Sequence, residues 1–481
     1  SNLNYREREY DIAVAYHADM NFTMIRNWVG QIGDKEFYEA CDRHGIMVWQ
    51  DFWLANPVDG PNPYYTEMFN ANACDYLKRI RNHPSIGIYV GRNEGNPPAG
   101  IDDYLRGLVF REHPGLYYIS NSAMGVVSGG GPYRALSPKS YFQSYGHDKF
   151  HSERGMPNVM NYESMLLTFG TDKIEPVNTS ETPNPVYGLH DYTLGGGKGS
   201  SAQAASSFND MIEKAFGRPR DAKQFAEWAQ WINYDGYRAI FEGRSEHRRG
   251  MLLWMSHSAW PSMVWQTYDY YFDPNAAYFG CKKASEPLHI QWNPLRDDIE
   301  VVNYHAFDRT GLTATASLFN QDGTLQWTRE TKLDIKEDQT VACFPLEQPE
   351  TLSDTYFIKL SLTDSDGKQL SDNFYWRGKE DGNYKSLLQL PKVSVCKNVT
   401  VKKTGKEWLI RAVLKNEART PALMLRLKVA GEKSGRMLLP VFYSDNYFSL
   451  LPGEVKEVDI RLYDADTYGE KPVLEVLGFN L

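Results

Sequence analysis

Two textures of apolar and polar positions divide this chain near residue 287. Before it, short apolar runs alternate with amphipathic stretches. Residues 21–28 (NFTMIRNW), 46–52 (IMVWQDF), 86–90 (IGIYV), 116–122 (LYYISNS) and 250–260 (GMLLWMSHSAW) are apolar runs bounded by turn residues. They read as strands buried on both faces. A shorter one, 149–155 (KFHSERG), closes on a carboxylate, and residues 133–142 form the weakest strand of the series. Between them lie helical patterns: 5–19; 35–44, with Asp34 placed to cap it and Gly45 to close it; 66–81, with Met68, Ala71, Leu77 and Ile80 inward; 101–112; and 221–243. An irregular insertion surrounds Gly195, Gly196 and Gly197. Strands alternating with helices predict parallel βαβ units.

Past residue 287, segments such as 312–319 (LTATASLF), 356–362 and 407–414 alternate apolar with polar residues. Turns such as Gln321-Asp322-Gly323 and Ser365-Asp366-Gly367 separate them. That is the pattern of antiparallel sandwiches. Asp381-Gly382 divides this half in two. The expected domains are 1–288, 289–378 and 384–481, within the two to four that 481 residues allow.

Composition narrows the function. A net charge of -9 without a basic block speaks against a nucleic-acid partner. Five scattered cysteines with no CxxC give neither a disulfide framework nor a zinc site. No apolar run reaches about 18 residues, so no membrane insertion is expected. Aromatics make up 14%, a weak pointer to sugar handling, since large β-rich proteins also carry many tyrosines. The chain opens inside a helical pattern, so the lack of a signal peptide leaves the compartment open. A periplasmic or secreted address is compatible.

The candidate chemistry sits at strand ends. Glu94 follows the run 86–90 through Gly91-Arg92-Asn93, and Glu153 ends 149–155. Carboxylates at the carboxyl ends of two parallel strands can face each other. Such a pair suits glycosidic cleavage: one acid protonates the leaving oxygen while the other attacks the anomeric carbon. A retaining enzyme needs the pair about 5 to 5.5 Å apart. The plainer readings are a loop residue for Glu94 and a salt bridge for Glu153. Glu163 is a rival carboxylate, but its position in a helical run argues against it. His147 and His151 have metal-like spacing yet flank a strand, which discounts zinc. His151 and His190 could meet sugar hydroxyls or be structural. No phosphate loop, dinucleotide fingerprint or serine elbow is present.

Five segments carry a resemblance: 20–31 (MNFTMIRNWVGQ), 37–52, 79–94 (RIRNHPSIGIYVGRNE), 150–165 (FHSERGMPNVMNYESM) and 250–294. With SDNYFSLLPGE at 444–454, they resemble glycoside hydrolase family 2, in its β-mannosidase and exo-β-glucosaminidase branch. The resemblance implies an α/β (β/α)8 barrel lacking its first strand, then two immunoglobulin-like sandwiches. It also implies N-terminal domains of the native chain that are missing here. It makes Glu94 the general acid/base, Glu153 the nucleophile and Asn93 a contact to the substrate 2-substituent. It places Arg26 near the nucleophile, where a cation favours the ionised carboxylate. Arg26 could equally be a structural ion pair, and Trp254, a subsite residue in the family, could be core packing. Trp28, Asp51, Trp53 and Trp260 are candidate rim residues, Asp51 being equally a loop cap. The implied function is a retaining exo-acting β-glycosidase on an oligosaccharide or glycoside, needing no cofactor or metal. β-Mannosidase comes first because of the Asn93-Glu94 pair, with exo-β-D-glucosaminidase second. A non-catalytic carbohydrate-binding protein is the rival of another class, though it would need neither carboxylate.

Overall fold

The computed structural model describes residues 4–144, 148–179, 182, 184–190, 204–246, 249–263 and 265–481. The insertion around Gly195 to Gly197 and His147 lie outside the described residues. The chain forms two compact units. The first comprises Ser1–Tyr133, Gly146–Gly155 and His247–Trp254; the second comprises Arg134–Tyr145, Met156–Glu246 and Met255–Leu481.

The first unit is parallel α/β. Strands β1 (Met24–Asn27), β2 (Met47–Asp51), β3 (Ile86–Arg92) and β4 (Tyr117–Asn121) form one sheet in sequence order. Strands β5 (Val127–Ser128), β6 (Phe150–Arg154) and β7 (Met251–Leu253) form another, also parallel. Helices Lys35–His44, Thr66–Ile80 and Ala99–Glu112 make the crossovers that parallel pairing requires. Trp49, Val90, Val127 and Leu252, drawn from both sheets, share one apolar core, flanked by Met24, Ile88, Ile119 and Phe150. Among the described residues no hydrogen-bonded ladder joins β1 to β7 or β4 to β5.

Three local expectations change. The strand expected at 133–142 is instead β5, two residues long and nearer the N-terminus. Ser137 caps a helix, Pro138–Gln143, by accepting from the Ser140 N–H, and proline at the first helical position reinforces that start. Gly45 closes its helix at φ 69°, as read, but Asp34 does not cap with its side chain; it accepts from the Tyr10 hydroxyl at 2.6 Å. In Thr66–Ile80 the inward face is Ala73, Tyr76, Leu77 and Ile80, while Met68 and Ala71 are exposed. The burial stripe starts later than the apolar positions suggested because the first turn faces water.

In the second unit, helix Ala222–Glu242 packs against helix Ala276–Ala284. Gly280 permits the approach: a Cβ there would lie 2.5 Å from the Tyr234 carbonyl oxygen. Next come β8 (Leu288–Asn293), β9 (Asp298–Asn303), β10 (Arg309–Asn320), β11 (Leu325–Ile335), β12 (Gln339–Pro345), β13 (Thr355–Thr363) and β14 (Gln369–Gly378). They form antiparallel sheets ordered β11-β10-β13-β14 and β12-β9-β8. Alternate residues Leu312, Ala314, Ala316 and Leu318 meet Ile290, Ile299, Val301 and Ile358 in one core, as period-two patterning dictates. The remaining strands are β15 (Val395–Thr404), β16 (Glu407–Asn416), β17 (Ala422–Gly431), β18 (Val441–Tyr443), β19 (Phe448–Leu450), β20 (Val455–Tyr463) and β21 (Pro472–Leu477). They repeat the scheme, ordered β15-β16-β20-β18 and β19-β17-β21.

Candidate active site

Parallel pairing puts the carboxyl ends of β1, β2, β3 and β6 where their side chains meet. Arg26 comes from β1, Asp51 from β2, Asn93 and Glu94 from the turn after β3, and Glu153 from β6. Arg26 is the hub. Its Nη1 donates to Glu153 Oε1 at 2.6 Å, and its Nη2 to Asp51 Oδ2 at 2.7 Å and Asn93 Oδ1 at 2.8 Å. The Arg26, Asp51 and Glu153 side chains are 5%, 0% and 4% exposed, so these charge-assisted bonds run in a low dielectric. Burial alone would lower the Arg26 pKa; Asp51 and Glu153 outweigh it and hold the guanidinium charged. Asp51 also accepts from the Val29 N–H at 3.0 Å and the Trp49 indole at 2.7 Å. It therefore caps the loop and orients Arg26 at once.

Arg26 pulls Glu153 toward the ionised form, as expected, but it is outweighed. Burial, helped by the charge of Glu94, pushes its carboxyl above the ordinary range against the pull of Arg26. One guanidinium serves two buried carboxylates and cannot offset the desolvation of both.

Tyr133, a residue the sequence reading passed over, joins the two acids. Its hydroxyl donates to Glu153 Oε2 at 2.5 Å and lies 3.4 Å from Glu94 Oε1. Together these contacts hold the facing oxygens no more than about 6 Å apart. Burial, and then the charge of Glu153, raise the Tyr133 pKa far above that of a free phenol, so the hydroxyl keeps its proton. The available sequence signal was faint: a tyrosine directly after Gly131-Pro132, where the chain leaves β5.

Glu94 sits at φ 47°, a left-handed conformation that non-glycine residues rarely adopt. Its N–H is anchored on Ser122 Oγ at 2.9 Å. Val29 is at φ 43°, rarer still for a β-branched residue. Two strained residues beside buried charges fit the clustering of backbone strain at functional sites.

The aromatic candidates separate. Trp28 and Trp254 meet edge to face, ring centroids 4.8 Å apart, and the Trp254 N–H donates to the Arg154 carbonyl at 2.9 Å. The Trp28 indole N–H is buried with no partner among the described residues. Trp53 donates to the Gly30 carbonyl at 3.2 Å. Trp260 belongs to the second unit, where its ring stacks on His190 at 5.6 Å. His151 is structural: its Nε2 donates to the Gly131 carbonyl and its Nδ1 accepts from Ser128 Oγ, both at 2.6 Å. Glu163, also in the second unit, is paired with Arg426 at 2.8 Å and Lys428 at 3.1 Å.

Comparison with known proteins bears on the family and the fold. The profile of the exo-β-D-glucosaminidase Ig-fold domain matches residues 373–481. The chain is 26% identical to the mannosylglycoprotein endo-β-mannosidase of Lilium longiflorum, over 99% of this chain and 61% of that protein. It is 28% identical to the exo-β-D-glucosaminidase of Streptomyces avermitilis, over 97% of this chain and 56% of that one. The chain thus spans about three fifths of the length of these relatives. Among solved structures, the exo-chitosanase of Amycolatopsis orientalis superposes with a TM-score of 0.88 at 24% identity, over 99% of this chain and 61% of that one, which establishes the shared fold. A parallel α/β unit with strand-end acids, followed by Ig-like sheets, stands beside relatives matched along almost the whole chain: its homologues are β-mannosidases and exo-β-D-glucosaminidases, consistent with the branch of glycoside hydrolase family 2 that the sequence resembles.

Proposed function

We propose that this chain carries the catalytic centre of a retaining, exo-acting β-glycosidase, with Glu153 as nucleophile and Glu94 as general acid/base. The observation that carries the reading is the Tyr133 hydroxyl shared between the two carboxylates, with Arg26 on the far oxygen of Glu153. In the first step Glu153 attacks the anomeric carbon while Glu94 protonates the departing oxygen; in the second, Glu94 deprotonates the water that releases the sugar. Arg26 and Tyr133 orient Glu153 and stabilise its negative charge. We read the parallel strands as part of a (β/α)8 barrel within residues 1–288, followed by sandwiches at 289–378 and 384–481. Trp28 and Trp254 are assigned to substrate contact.

A β-mannoside is the preferred substrate. The Asn93 amide oxygen accepts from Arg26 at 2.8 Å and from Ser122 Oγ at 3.3 Å, which commits its NH2 to face away from them. An NH2 group donates, which suits a neutral 2-hydroxyl and opposes a 2-ammonium group that can only donate. Exo-β-D-glucosaminidase is the second reading, favoured by the family profile over 373–481. The test is turnover of aryl β-mannosides and aryl β-glucosaminides. Glu153→Gln is expected to lower kcat by at least about 1,000-fold. Glu94→Gln is expected to spare substrates whose leaving group needs no acid. Wild-type rates in Glu153→Gln would place the nucleophile elsewhere. Sugar binding without any turnover would support the carbohydrate-binding reading instead.

A further inference from the structure

The loop after β2 reaches back over the proposed acid. Its anchors are specific. The Asn93 N–H donates to the Leu54 carbonyl at 2.9 Å. Arg92 Nε donates to the Ala55 carbonyl and its Nη1 to Asn62 Oδ1, both at 2.7 Å. Arg92 is 3% exposed, so both ends of the loop are tied to the strand that delivers Glu94. Between these ties stands Asn56. Its Oδ1 accepts the N–H groups of Val58 at 2.9 Å and Asp59 at 2.8 Å. Two backbone donors on one atom fix the amide orientation, because a flipped NH2 would oppose both. Asn56 Nδ2 therefore points outward, donating to Asp59 Oδ2 at 2.6 Å and to Glu94 Oε2 at 3.4 Å.

We propose that Asn56 is a positioning residue that determines which oxygen of Glu94 carries the catalytic proton. This rests on the reading of Glu94 as the general acid. A carboxylic acid has one proton and two oxygens. Oε2 faces a fixed N–H donor and must accept, so the proton belongs on Oε1. Oε1 faces Tyr133, whose own proton is taken by Glu153 Oε2 at 2.5 Å, leaving the phenol oxygen able to accept. The protonated oxygen is thus the one turned toward Tyr133 and Glu153. Asn56 touches neither bond nor nucleophile; it acts through Glu94.

The test compares aryl glycosides with good and poor leaving groups, 2,4-dinitrophenyl and 4-methoxyphenyl, on the intact protein. Two variants are used: Asn56→Ala removes the whole group, and Asn56→Asp keeps the acceptor for Val58 and Asp59 but cannot donate. Both should lose about 10- to 100-fold in kcat/KM on the 4-methoxyphenyl substrate and stay within about twofold on the dinitrophenyl one, a split that disordered packing would not produce. If Asn56→Asp matches wild type on both substrates, or either variant loses equally on both, the proposal is overturned. Glu94→Gln is run beside them. If it shows no leaving-group dependence, the assignment of Glu94 fails as well; if it does and the Asn56 variants do not, only the positioning role fails.

Discussion

Glu153 and Glu163 lie ten residues apart in sequence, each beside an arginine, yet their carboxyls move in opposite directions. Burial opposes ionisation of both. At Glu163 each oxygen has its own cation, Arg426 on one and Lys428 on the other, and the pKa is pushed down to about 2. At Glu153 one guanidinium is shared with Asp51, the other oxygen meets the neutral Tyr133, and burial wins. The same rule reaches Asp273, which holds Arg426 only at 3.4 Å and is raised to about 6 by burial. A carboxylate saturated with cations is a structural tie. One left short of cations keeps capacity for chemistry.

Removing Arg26 should have the largest effect. Arg26→Met leaves Glu153 and Asp51 buried without a counter-charge. We expect kcat/KM to fall by about 100-fold or more, from lost alignment of the proposed nucleophile. Glu153 should rise further, so the acid limb of the pH–rate profile moves to higher pH; an unmoved limb would separate that limb from Glu153. Glu163→Gln should do the reverse. It strands Arg426 and Lys428, costing on the order of 2 kcal/mol in chemical denaturation, less than a fully buried pair would because the Glu163 side chain is 27% exposed. Its turnover should stay within about threefold of wild type. A large rate loss with unchanged stability would reverse the two roles.

The smallest effect concerns Asp269 and Asp273, raised by burial to about 7 and about 6. Their folded pKa values lie above the unfolded ones. The stability they contribute is full below about pH 4 and is lost as pH rises through about 6 to 7. Tm should therefore fall between pH 5.5 and 8. Asp269→Asn, which keeps an oxygen for the Tyr271 and Asp273 N–H groups, should flatten that slope. An equal slope in the variant would assign it to other groups.

The strands that carry the acids could be read in the sequence because each couples an apolar run to a polar end. The runs before Asn93-Glu94, Asp51 and Arg26 are long enough for periodicity to speak. Tyr133 was not legible, since β5 is two residues long and no pattern survives at that length. Asn56 was equally hidden: it looks like an ordinary turn asparagine, and only the folding of its loop onto Glu94 gives its second N–H a meaning. The direction of the Glu153 shift also escaped, because sequence shows that a cation is near but not that Asp51 claims it too. For Glu163 the sequence offers only its helical position; the cation on each of its oxygens comes from β17, more than 260 residues away.

The most direct measurement of the central claim is covalent trapping. A 2-deoxy-2-fluoro β-glycosyl fluoride of the manno or gluco series slows both steps and lets the glycosyl–enzyme accumulate for peptide mass spectrometry. The label is expected on Glu153, in the peptide containing HSERG, and Glu153→Gln should take up none. A label on Glu163, on Asp51 or on any other carboxylate would contradict the account.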